Sequence, residues 1–485
     1  MSSPSPDHPT VPRSPDLAAA FLGLTLGAFL VLLNLGIVPI ALPTIGEDLH
    51  ASTTGRQWVL DSYNLMLSAF VLSAGNLGDR FGRKRLYLLG LVLFILASAA
   101  SAAAPTLGVL IGAQAVLGVA AALLITGSLS LITQLYPDPA ARARMLGLNG
   151  AIGGSGISLG PLLGGVLVTA LDWRAIFAVN VVVGVLALWL VVRTVPESSD
   201  PEHAALDGAG QLLGLITLAG LTYALITSSM HGWGSAATLV PLVAALAAAG
   251  GFLLVESRVA RPMLPLSVFR APGFGRANLA SFVLGFGTSA VFVLLALYLQ
   301  DAQGFSPLST GVILLPLAAA INLTAPFAGR LSGSRGPLRV MIVGYTVSGV
   351  GLLGLTLLDT GTPVVVFVVL TIVLGLGMGS SIAPTQIAGI MSLPRARSGL
   401  ASGCILTTRQ SGTTMGIAVL GLLIAHHAGP DPAASGYAGG FVDGFRIACA
   451  VAGVATLVVA AALLFAQVTM RRDGSTAEPV AVRGG

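Results

Sequence analysis

The chain of 485 residues is a succession of apolar runs, each about as long as a bilayer is thick, joined by mostly short gaps. A helix rises 1.5 Å per residue, so about 20 apolar residues cross a hydrocarbon core roughly 30 Å thick. Fourteen runs meet that length. They begin near Leu17, Gln57, Leu86, Thr106, Met145, Ile176, Gly208, Ala236, Ala277, Leu308, Leu338, Pro363, Gly403 and Phe441. Inside a bilayer each backbone polar group must find its partner within the protein, and no period-two alternation points to a barrel. An all-α polytopic membrane protein is the expected fold class. Composition agrees. Hydrophobic residues make up 55% and charged residues 9%, against roughly 25% charged in soluble domains. Disorder, collagen and a disulfide scaffold are excluded by the same figures. Cys404 and Cys449 both fall inside runs and form no CxxC motif. The first run is longer than a signal-peptide core and no small-x-small site follows it, so an uncleaved first helix is expected.

The formal charge of +5 reads as an orientation signal rather than a nucleic-acid surface, and no nucleic-acid partner is expected. With the N-terminus inside, twenty of the 24 Lys and Arg residues fall on the inside. Only Arg56, Arg174 and Arg446 fall in outside gaps, and Arg409 lies within a run. That bias predicts an even number of helices with both ends cytoplasmic, in the cell membrane. The chain also repeats itself weakly. Gly75-x-Leu77 leads to Gly82, and Gly329-x-Leu331 leads to Gly336, each after a run and before a basic loop. Internal repeats mark transporters built from two halves.

Gly75-Asn76-Leu77-Gly78-Asp79-Arg80-Phe81-Gly82-Arg83-Lys84-Arg85 fits G-x-L-x-D-R-x-G-R-K/R-R. Its small residues permit a tight turn, and Asp79 is placed to accept hydrogen bonds from a helix N-terminus or an Arg. Gly147, Gly156, Gly160-Pro161 and Gly164-Gly165 fit G-x8-G-x3-G-P-x2-G-G on the fifth helix, a glycine face with a helix-distorting proline. The first motif resembles the signature between helices 2 and 3 of the major facilitator superfamily, and the second resembles its antiporter motif. Further stretches are similar to the fourteen-helix drug:proton antiporter family. They are Ile40-Ala41-Leu42-Pro43-Thr44-Ile45, Asp172-Trp173-Arg174, Tyr298-Leu299-Gln300, and Thr407-Thr408-Arg409-Gln410-Ser411-Gly412. The resemblance runs from about Leu17 to Leu464. It implies two six-helix bundles with two inserted helices, and alternating access around a central cavity. The corresponding divisions are 1–16 tail, 17–195 bundle, 196–207 linker, 208–255 extra helices, 256–275 loop, 276–467 bundle and 468–485 tail. It implies gating roles for Gly75, Asp79, Arg80, Gly82, Arg83, Gly147, Gly156, Gly160, Pro161 and Gly164.

Two positions depart from that family. It often has an Asp in helix 1 and usually an Arg in helix 4, where this chain has Asn34 and Gln114. Neither amide titrates, which weakens the family's usual proton coupling; losing both charges together is self-consistent, because either alone is costly in a membrane. One carboxylate, Asp61, remains well inside a run, toward the outer third. It is a candidate proton carrier, the alternative being a solvated acid near the outer mouth. Arg409 is the basic residue well inside a run. It is placed to pair with Asp61, to bind an anionic substrate group, or to bond carbonyls across the interface of the halves. The last, structural or gating, role is expected. Candidate cavity groups are Asn34, Tyr63, Asn64, Gln114, Asn149, Asn180, Asn278, Asn322 and Gln386. His426 and His427 lack a third partner for a metal, so no metal and no cofactor is expected.

The expected function is secondary export of small amphipathic molecules, a drug or antibiotic, across the lipid bilayer by a monomer that exchanges them for protons. An uncoupled facilitator is the alternative that Asn34 and Gln114 raise. The chain has no HExxH, GxSxG or P-loop, which argues against a membrane enzyme or an ATP-driven pump.

Overall fold

The computed structural model describes residues 14–198, 207–259, 266–393, 398–429 and 434–475. Helices α1 to α8 are Ser14–Asp48, Thr53–Phe81, Arg83–Ala102, Leu107–Leu135, Pro139–Ala170, Ala175–Thr194, Gly208–His231 and Ala236–Arg258. The ninth, α9, starts as Pro272–Val283 and continues through a π-turn at Leu284–Ser289, through Ala290–Leu297, and into a second π-turn at Tyr298–Ala302. Helices α10 to α14 are Pro307–Arg335, Pro337–Gly354, Val364–Met391, Ser398–Ala428 and Tyr437–Ser475. Among the described residues, thirteen helices are long and apolar enough to cross a membrane. The fourteenth, α2, falls short on composition because Gln57, Asp61 and Asn64 interrupt its apolar stretch. Its 29 residues still reach about 43 Å at 1.5 Å per residue.

Local chemistry sets the helix ends. Ser52, Thr106, Asp138, Asp207, Ser235 and Ser306 each accept a hydrogen bond from the backbone N–H three residues on, capping α2, α4, α5, α7, α8 and α10. Gly82 ends α2 at φ +107° and Gly336 ends α10 at φ +82°. The sequence repeat is thus the same device used twice: a left-handed glycine turns the chain straight into the next helix.

Helix α1 packs on α5 and α6, α2 on α4, and α3 on α4 and α6. Likewise α10 packs on α12, α11 on α12 and α14, and α13 on α9 and α14. Helices α7 and α8 form a hairpin, with α7 leaning on both α2 and α13. Gln211 of α7 donates to the Ala69 carbonyl of α2 at 2.8 Å, and Trp58 stacks obliquely on Tyr223 at 5.8 Å. The two sets of helices meet along α2–α13 and α5–α10. Lipid is as apolar as leucine, so these contacts rest on close packing rather than on removal from water.

Candidate functional site

The α5 glycines let two neighbours approach at once. A Cβ on Gly156 would lie 2.7 Å from the Phe29 carbonyl oxygen, and one on Gly160 would lie 2.6 Å from the Gly36 carbonyl carbon, both on α1. A Cβ on Gly164 would crowd Ile37. Gly165 faces the other way: its Cβ would lie 2.6 Å from the Pro307 oxygen of α10. Gly311 of α10 packs closer still against the Pro161 carbonyl, so the proline lies at the α5–α10 contact. Midway along, Asn322 of α10 donates to Ser158 of α5. Beyond that point the contact is lost. A Cβ on Gly147, Gly150 or Gly333 would meet nothing within 4 Å, and neither would one on Gly75 of α2. The two sets of helices are therefore closed at the face carrying Gly165 and splayed at the face carrying the basic loops.

The closed face is held by polar bonds between the sets. Arg56 of α2 reaches Asp301 of α9 at 2.9 Å and the Tyr437 hydroxyl of α14 at 2.9 Å. The Arg56 and Asp301 side chains are only 5% and 8% exposed. Arg56, read from sequence as a gap residue, instead lies within α2. Gln57 donates to the Ile417 carbonyl at 3.0 Å, and Gln300 donates to the Ile40 carbonyl at 3.1 Å. A second cluster on this face joins Arg174 to Asp48 and Asp172, each at 3.0 Å, with the Trp173 indole donating to Asp48.

Mid-membrane, the structure brings Asn34 and Gln114 together: the Asn34 Nδ2 donates to the Gln114 Oε1 at 3.4 Å. The two positions that depart from the family thus form one buried amide pair. Asp61 is fully buried, and among the described residues neither carboxylate oxygen has a hydrogen-bond partner. Arg409 does not pair with it. Its guanidinium, on a partly exposed side chain, makes no hydrogen bond or ion pair among the described residues. It lines a small crevice between the sets, with Gln410 beside it and walls from Leu35, Leu67, Val71, Ile125 and Leu406.

The other amides are mostly committed elsewhere. Tyr63 donates to the Val31 carbonyl at 2.9 Å, and Asn64 to its own helix at Leu60. Asn278 accepts from Thr408 at 2.9 Å, and Gln386 donates to Ser402 at 2.6 Å. Asn149 and Asn180 are buried, with polar atoms that have no partner among the described residues. None of the nine cavity candidates lines that crevice. A side chain that tethers helices and one that faces a cavity carry the same polar signal in sequence.

At the basic face, Glu197 clasps the turn after α2. Its carboxylate accepts from the backbone N–H of Lys84 and Arg85 at 3.0 and 3.1 Å, at the start of α3. Gly82 sits against that carboxylate, and the Arg83 N–H donates to the Ser198 carbonyl at 2.8 Å. Arg80 lies over the Phe81 ring, exposed. The Asp79 side chain lies outside those described. Sequence reasoning missed Glu197, Asp301 and Gln410. Glu197 reads as one acid in an acidic linker, and Asp301 is paired only through tertiary contact. His426 and His427 stand edge to face at 5.3 Å, with His427 Nδ1 on the Leu423 carbonyl.

Comparison with known proteins agrees with this architecture. The family model described as "Major Facilitator Superfamily" matches residues 24–417 and again 277–482. The multidrug resistance protein Stp of Mycobacterium tuberculosis is 35% identical over 82% of this chain and 74% of its own. The methylenomycin A resistance protein of Streptomyces coelicolor is 33% identical over 83% and 84%. A bacterial homolog of the human lysosomal transporter Spinster superposes with a TM-score of 0.69 at 16% identity, covering 95% of this chain and 99% of that one. This multi-pass membrane chain, a transport protein rather than an enzyme, belongs to the major facilitator superfamily.

Proposed function

We propose that the chain exports small amphipathic drugs or antibiotics across the cell membrane in exchange for protons, by alternating access. The observation that carries this reading is the wedge between the two helix sets. They are sealed at one face by Arg56–Asp301 and the Gly165–Pro307 contact, and open at the other around a mid-membrane cavity. The basic face is then cytoplasmic, with both termini on that side, following the charge bias. Residues 17–195 and 276–467 are the rocking bundles, and 208–255 is an inserted hairpin. The protein works as a monomer, with protons and the substrate as its partners. The relatives' names, resistance to multiple drugs and to methylenomycin A, support a drug or antibiotic as substrate.

Asp61 carries the proton in this reading. It is buried without a partner among the described residues, so water reaching it through an opened cavity changes the cost of its charge. The Asn34–Gln114 amide pair favours a second reading, an uncoupled facilitator, because it offers no titrating group where the family often has one. Purified protein in liposomes under an imposed pH gradient separates the two. Gradient-driven movement of an amphipathic probe, lost in Asp61→Asn, supports antiport. Movement indifferent to the gradient supports the facilitator, and no movement of neutral, cationic or anionic probes refutes export.

A further inference from the structure

We propose that Arg409 makes the mid-membrane cavity a binding site for amphipathic acids, with the anionic oxygen of a carboxylate on its guanidinium and the apolar body on the leucine and valine walls. This deepens the exporter reading and rests on it.

The charge inventory of the cavity points there. Its lining is aliphatic apart from Arg409 and Gln410. An arginine in such a place ordinarily has a counterion, because an isolated guanidinium away from water is costly. Here none is supplied among the described residues. Asn34 and Gln114 are neutral and bonded to each other. Asp301 belongs to Arg56 at the closed face, and the Asp61 carboxylate has no partner. The backbone at Arg409 is also held. Its carbonyl accepts from the Thr413 hydroxyl at 3.1 Å, and Gly285 of α9 packs directly against it, with no room for a Cβ. The base of the side chain is thus fixed while its partly exposed charged end has no anion beside it among the described residues, which is a preformed half of an ion pair. A guanidinium offers parallel N–H groups that match the two oxygens of a carboxylate. Gln410 adds an amide beside it. The same charge repels an organic cation, and a neutral amide gains only the apolar walls.

The test uses three probes with one aromatic body, 2-naphthoate, 2-naphthamide and 2-naphthylmethylammonium, titrated calorimetrically into the purified full chain. Wild type is expected to bind naphthoate about tenfold or more tighter than either other probe, as a charge-assisted bond replaces a neutral one. Arg409→Gln is expected to lose that advantage while holding naphthamide within about twofold, and Arg409→Lys to keep part of it. Naphthamide or the ammonium binding wild type as tightly as naphthoate overturns the proposal, without recourse to any variant. So does the absence of binding by all three. The liposome experiment separates this from the exporter reading. Gradient-driven movement of the ammonium with no preference for the acid leaves export standing and refutes the acid site. Acid-selective binding without gradient-driven movement does the reverse.

Discussion

Replacing Asp301 by Asn should open the face that the structure shows closed. The Arg56–Asp301 pair joins the two helix sets at 2.9 Å, and both side chains are more than nine-tenths buried. Removing one partner of a buried pair leaves the other charge uncompensated and costs about 3–5 kcal/mol. Arg56 keeps its bond to Tyr437, so the lower end, about 3 kcal/mol, applies. That cost falls only on the state closed at this face. It corresponds to a shift of roughly a hundredfold between closed and open, enough to bring an equilibrium of about 99:1 near parity. Spin labels on cysteines at Gly108 and Gly361 report it, since both sites are exposed and an added Cβ meets nothing within 4 Å. Pulsed dipolar spectroscopy should show a longer distance appearing in Asp301→Asn. The double variant Arg56→Met, Asp301→Leu should return most of the population to the short distance, because no buried charge is left unpaired. An unchanged distance distribution in Asp301→Asn refutes the pair as a latch.

Gly165→Val should abolish transport and lengthen the same distance, because its Cβ meets backbone of Pro307 and Leu308 that cannot rotate away; Gly150→Ala, which enters open space, should leave thermal stability within about 0.5 kcal/mol of wild type. Glu197→Gln should weaken the turn before α3 by about 1 kcal/mol, as a partly exposed carboxylate loses its charge on two backbone donors, and faster trypsin cleavage at Arg83–Arg85 measures it. Asn34→Asp and Gln114→Arg should each lower the melting temperature, and the double variant should recover part of the loss, since the two side chains already touch. Additive losses in the double variant count against a paired site.

Much of the fold is legible in the chain. The apolar runs became helices because a bilayer leaves the backbone no other partner, and the caps at Ser52, Thr106 and Ser306 are local chemistry. The Gly82 and Gly336 turns were visible as a repeat because a left-handed turn demands glycine in either half. The glycine spacing on α5 announced close approach, though not that Gly156 and Gly160 serve α1 while Gly165 serves α10.

By itself, then, the sequence determined the number and placement of the helices, their orientation bias and the small-residue faces, because those follow from hydropathy and backbone sterics over short spans. Only the tertiary structure decided which charges meet. Arg56 and Asp301 are 245 residues apart in the chain, and Glu197 lies 113 residues from the Lys84 N–H it caps. Pairings at that separation depend on how whole helices stack. For the same reason Tyr63, Asn278 and Gln386 bond across to neighbouring helices, while Arg409 lines the crevice with no anion beside it among the described residues.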